Sequence, residues 1–111
     1  MNTGAALDRN TIQGLFEMAD GDESFVRDLL KTYVAQAAEQ FDAIQAAVAA
    51  ADARAAARAA HSLAGASLNV GALRVATICR RIEANPSPMT ADIRELEGEL
   101  VSVIAAPLVQ V

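Results

Sequence analysis

Between about Asp22 and Ala50 the apolar residues Val26, Leu30, Tyr33, Ala37, Phe41, Ile44 and Val48 recur in steps of three and four. Side chains on an α-helix turn by about 100° per residue, so this spacing lays one continuous apolar stripe along a long helix; a strand, with period two, cannot present it. Such a stripe needs a cover, and in a chain of 111 residues the cover comes from further helices of the same domain. Alanine fills 26 positions, so much of the 53% hydrophobic content is the best helix former, which buries little area per residue.

The rest of the chain follows the same period. Leu7, Ile12, Leu15 and Phe16 form a short lead-in helix, with Asp8 or Asn10 available as its cap and Gly21 as its stop. A third helix is predicted from about Asp52 to Val70. Gly71 marks the turn into a fourth, whose apolar positions are Ala72, Val75, Cys79 and Ile82 and which ends at Asn85. The segment Pro86 to Pro88 reads as a turn. Thr90 can cap a fifth helix carrying Ile93, Leu96, Leu100 and Val103 until Pro107 stops it. No strand pattern, repeat or interdomain linker interrupts this series. The expected fold is therefore all-α, an antiparallel four-helix bundle with a short additional N-terminal helix, and residues 1–111 are expected to form a single domain.

The composition narrows the function classes. The longest apolar runs, Ala46 to Ala51 and Val103 to Val109, fall well short of the roughly 18 residues that span a bilayer. MNTGAALDRN lacks the basic and apolar regions of a secretory signal, so a cytoplasmic location is the expectation, with no membrane partner. One Cys and one His cannot make an internal disulfide or supply the usual ligands of a zinc site, and no metal is expected. A net charge of −5 argues against nucleic acid as the principal partner and leaves another protein as the expected one.

A helical wheel singles out His61. With His61 at zero, Ala56, Ala60, Leu63, Ser67 and Val70 cluster between about 180° and 260°, whereas Arg58, Ala64, Gly65 and Leu68 lie within about 60° of it. The imidazole points away from the core, which weakens the ordinary reading of a lone helical histidine as a structural residue. Gly65 lies mid-helix, where glycine costs about 1 kcal/mol relative to alanine. With the small Ala64 it leaves bare backbone one turn from the ring, where another protein could approach; a tolerated accident or close helix packing is the plainer explanation. From Ala53 to Ile82 there are five arginines, Arg54, Arg58, Arg74, Arg80 and Arg81, and no acidic residue. The histidine thus sits in a basic zone of an acidic chain, suited to an anionic group such as phosphate or to a partner's acidic pocket, although a charge run is often only a solvated face.

These residues resemble a known family. AHSLAGASLNVGALRVATICRRIE, Ala60 to Glu83, is similar to the signature of histidine phosphotransfer (HPt) domains of phosphorelays, with His61, Leu63, Gly65, Ser67, Gly71, Ala72, Cys79 and Glu83 matching in register. The helix order and the DESFVRDLL opening of the long helix also fit. The chain departs from the family at Ala64, where relatives usually carry a lysine thought to neutralise the phosphoryl group; Arg58, one turn earlier, is a candidate substitute.

The resemblance implies a phosphoryl carrier without autonomous ATP-dependent kinase activity. His61 would accept the group from a receiver-domain aspartyl phosphate and pass it to a second response regulator. Mg²⁺ would be supplied by the receiver, and no cofactor by this chain. Arg58, Ala64, Gly65 and Leu68 would form the approach surface, with Glu83 and Arg80 as candidates for imidazole or phosphate support. The partners would be response-regulator receiver domains and a hybrid histidine kinase, the carrier itself a monomer. Phosphoryl transfer rests on positioning and charge neutralisation, so a neutral imidazole and a clear approach are enough on this side. One competing reading is a noncatalytic adaptor of the same fold, which Ala64 favours. Another is a dimerising bundle without a signalling role, which leaves His61 and Gly65 unexplained. A cofactor-binding bundle would have only one histidine as axial ligand.

Overall fold

The computed structural model describes residues 6–85 and 90–106, and among them five helices account for the ordered backbone: α1 (Arg9–Met18), α2 (Glu23–Ala49), α3 (Ala53–Val70), α4 (Leu73–Ala84) and α5 (Thr90–Ile104). Helices adjacent in sequence pack side by side, and α5 closes back onto α2, completing a four-helix bundle with α1 laid against α2 and α3. No helix among the described residues is long and apolar enough to cross a membrane.

Local chemistry sets the helix ends. Asp8, not Asn10, caps α1 by accepting from the Thr11 amide; Asp22 and Asp52 cap α2 and α3 in the same way, each satisfying amides that the first turn leaves unpaired. α1 stops at Met18 with Ala19 as its C-cap, earlier than Gly21, which sits two residues on at φ +80° and donates its amide to the Phe16 carbonyl at 2.8 Å. Gly71 ends α3 in the left-handed region, and α4 runs to its C-cap at Asn85. The expected turn at Pro86 to Pro88 and the stop at Pro107 lie outside the described residues.

The core takes Val26, Leu30, Tyr33, Ala37 and Ile44 from the α2 stripe, with Phe41 and Val48 half-buried at its edge. Leu63, Ser67 and Val70 come from α3, Val75, Cys79 and Ile82 from α4, and Leu96, Leu100 and Val103 from α5. Ser67 is the buried polar residue among those described, and its hydroxyl meets the Tyr33 hydroxyl at 2.6 Å. This bond ties α2 to α3 and satisfies both groups. Burial pushes the Tyr33 phenol up to about 12 and the Cys79 thiol likewise to about 12, so both stay protonated at neutral pH.

The α3–α4 corner is where glycine is required. A Cβ built on Gly71 would stand 2.8 Å from the Thr11 Cβ and 3.1 Å from the Asp8 backbone nitrogen, and the Gly71 carbonyl accepts the Asp8 amide at 2.7 Å. The same residue thus makes the hairpin turn and seats α1. Gly71→Ala should cost more than about 1 kcal/mol, from left-handed strain plus the clash. Chemical denaturation measures it, and a loss below about 0.5 kcal/mol, the ordinary scatter of surface changes, would show that the corner is not built as described.

Candidate functional site

The α3–α4 hairpin brings His61 and Glu83 together across its open end. His61 Nδ1 and Glu83 Oε2 are 2.8 Å apart, with the histidine side chain 70% exposed and the glutamate 33%. An ionised carboxylate only accepts, so in this pair Nδ1 carries the hydrogen and donates, and the neutral ring keeps its lone pair on Nε2. The two residues belong to different helices and are fixed from beneath. Ala60 and Leu63 are buried beside His61, and Cys79 and Ile82 beside Glu83. Next to Glu83, Arg81 reaches α5 and donates to Asp92 at 3.2 Å and to Glu95 at 2.5 Å, which holds this stretch of α4 against its other neighbour. The sequence placed Arg81 in the basic zone around the histidine, whereas its carboxylate partners on α5 hold it on the other flank of α4.

Gly65 is exposed, and a Cβ added there would meet nothing within 4 Å. Close helix packing therefore does not account for it. Arg58 and Leu68 are exposed on α3, as the wheel places them. Arg80 is exposed on α4, one turn before Glu83, and neither Arg58 nor Arg80 is in an ion pair with another described residue. Leu73, absent from the sequence candidates, is 43% exposed across the Gly71 turn from Leu68, at 42%.

Ala64 requires a correction. The wheel set it on the histidine's face, but it is 1% exposed and belongs to the core. The reason is geometric: α3 has neighbours on two sides, α2 and α4, so its buried arc extends from Ala59 to Ala64, about 140° on the wheel and wider than its five core residues indicated. A lysine at this position would have to lead its stem out of the α3–α4 seam before its ammonium reached water. The basic zone shrinks as well. Arg74 pairs with Glu99 at 3.2 Å and Arg81 with Asp92 and Glu95, leaving Arg54, Arg58 and Arg80 outside any ion pair among the described residues.

The arrangement presents one nitrogen nucleophile, held by its other nitrogen, one turn from the bare backbone of Gly65. ¹⁵N spectra of His61 at about pH 8, where an ordinary imidazole is neutral, should show the Nδ1–H form in the parent and in Glu83→Gln, and a tautomer mixture in Glu83→Ala. An unchanged spectrum in Glu83→Ala would show that the carboxylate does not set the tautomer.

Known proteins resemble this chain in sequence and fold. The family model described as Hpt domain matches residues 28–106. The crystal structure of histidine-containing phosphotransfer protein B (HptB) from Pseudomonas aeruginosa PAO1 aligns with a TM-score of 0.81 and 30% identity over 91% of this chain and 90% of that chain. No curated protein sequence matches the chain. Since the family match takes in α3, α4 and α5 whole, with His61, Gly65 and Glu83 inside it, the chain belongs to the Hpt family, the histidine phosphotransfer proteins of phosphorelays.

Proposed function

We propose that His61 is the phosphoryl acceptor of this protein, that it takes the group from the aspartyl phosphate of a receiver domain, and that a second response regulator removes it. The observation carrying this reading is the 2.8 Å contact from Nδ1 to Glu83, which leaves the exposed Nε2 to attack. In the step, Nε2 forms the N–P bond as the acyl O–P bond breaks, and the receiver's aspartate departs as a free carboxylate. The ring keeps its Nδ1 hydrogen and becomes cationic, so the Glu83 carboxylate stabilises charge that develops during transfer. Divalent metal belongs to the receiver's acidic pocket and not to this chain. ATP plays no part.

The docking face in this reading runs from His61 over Gly65 to Leu68 and Leu73, with Arg80 beside it and Arg58 behind. Bare backbone at Gly65 permits close approach, which in-line transfer needs. Helical side chains lean toward their own N-terminus, so the Arg58 stem leads away from His61, and its charge acts at longer range than a contact would. The whole chain serves as one Hpt unit that works in the cytoplasm alongside a hybrid histidine kinase.

Incubation with a phosphorylated receiver should yield an acid-labile, base-stable adduct that is lost in His61→Gln; label persisting in that variant excludes His61. Failure of the folded parent to take label from any receiver that it binds would instead favour the adaptor reading.

Gly65→Gln should fold with equal or slightly higher stability, because glycine in a helix costs about 1 kcal/mol relative to alanine, yet slow transfer by about tenfold or more. Undiminished transfer removes Gly65 from the site. Arg58→Ala should slow transfer by no more than about five-fold at low salt, and the difference should fade as salt is raised. A salt-independent loss would mean that Arg58 touches the reacting group.

A further inference from the structure

On the side of the bundle away from His61, α2 and α5 meet along an apolar groove of about 150 Å³. Ala37, Ala38 and Phe41 line it from α2, and Leu100, Val101 and Ile104 from α5. Val101 is 59% exposed and Ile104 45%, so apolar surface continues from the groove onto its α5 rim. Hydration of such a patch is unfavourable, and a chain that keeps it exposed has something to gain by covering it.

The charges around the groove indicate the cover. Glu97 lines it, helical periodicity puts Lys31 and Asp42 on the edge of α2 that carries Ala38 and Arg94 on the edge of α5 that carries Val101, and none of the four is in an ion pair with another described residue. Together they sum to zero on a chain of net charge −5. A strongly charged partner of either sign finds no complement here, whereas two copies of this acidic chain can meet at this face without adding to their repulsion. The order of charges along α2 is also self-complementary. Positions eleven apart return to the same face after three turns, about 16 Å along the helix, so Lys31 and Asp42 mark the two ends of one edge. A two-fold axis through the middle of that edge runs α2 antiparallel to its mate and sets Lys31 opposite the partner's Asp42, twice over. Ala35 and Ala38 fall near the crossing, where small side chains let helix axes approach.

We infer that the α2–α5 groove is a self-association face, through which two copies pair about a two-fold axis with both His61 side chains directed outward and open to receivers. This departs from the monomer expected from the sequence. A standard interface uses about 20–30 residues a side and this face offers fewer, so the pairing is weak, with Kd on the order of 0.1 mM.

Sedimentation and ¹⁵N NMR of the full chain at low salt, from about 10 μM to about 1 mM so as to bracket that affinity, test the inference. The weight-average mass should climb toward the dimer, with concentration-dependent shifts gathered at Ala35, Ala38, Phe41, Val101 and Ile104. Val101→Glu, an exposed substitution whose folding is checked by circular dichroism, should remain monomeric throughout. Lys31→Glu should weaken pairing about tenfold, since it breaks two exposed ion pairs, and adding Asp42→Lys should restore it. A monomeric mass at every concentration, shifts centred on His61, or a charge swap that does not restore pairing would overturn the inference. So would a monomer whose groove resonances move when the chain is cut after Ala106, because residues 107–111 would then be the occupant.

Discussion

The site depends on how closely α3 can lie against α4. A histidine and a glutamate have short reach, and for their polar atoms to meet at 2.8 Å across two helices the backbones beneath must be near one another. Alanines permit this: Ala60 and Ala64 on α3, Ala72 at the N-cap of α4 and Ala76 within it are all buried, and ridges of methyl groups allow helices to pack more closely than leucine or phenylalanine would. The alanine content that marks the chain as helical is thus also a distance constraint. Gly71 completes it by fixing the register of the hairpin, since its left-handed turn determines which residue of α4 faces His61.

Stability in this arrangement comes from elements that leave the site uncovered. Leu30, Ile44, Leu63, Ile82 and Leu96 are fully buried and supply the larger apolar volumes, while the Tyr33–Ser67 bond fixes α2 against α3 from inside. The ion pairs that join α4 to α5, through Arg74 and Arg81, are exposed enough to contribute little each. Gly65 stands apart from all of this. It gives up about 1 kcal/mol of helix propensity with no packing in return, as Gly14 on α1 and Gly98 on α5 also do, so it is the place of Gly65 one turn from His61 that ties this cost to a surface kept clear for a partner.

Much of this was legible in the sequence because it followed from period and punctuation. The α2 stripe, the starts of α2 and α3 near Asp22 and Asp52, the Gly71 turn and the end of α4 at Asn85 are local properties, and local properties read through. Ala64 misled because the width of a buried arc depends on how many neighbours a helix has, which its own wheel does not state. Ser67 fell within the predicted core arc as its lone polar member, and Tyr33 on the α2 stripe, so each signalled a buried hydroxyl in need of a partner; only the packing of α2 on α3 made them partners for each other. The His61–Glu83 contact had the same character. The family resemblance named Glu83 as a candidate support for the imidazole, but the meeting of Nδ1 with Oε2 required the tertiary distance.

Charge separates the two faces of the bundle by the same logic. Counted along the chain, residues 53–82 carry five arginines and no acid, which reads as a strong basic zone. In space, α5 brings Glu95, Glu99 and Asp92 against two of those arginines, and the field left near His61 is that of Arg54, Arg58 and Arg80. Such a field is modest and exposed, so its effect on an acidic partner would be one of steering, screened over about 10 Å at ordinary salt. The acidic residues that neutralise Arg74 and Arg81 do so on the flank away from α3, so the pairing that holds α4 in place also confines the remaining positive charge to the helices that border the histidine. In the carrier role proposed above this arrangement is an advantage: weak steering hastens encounter with a receiver without adding the contacts that would slow departure.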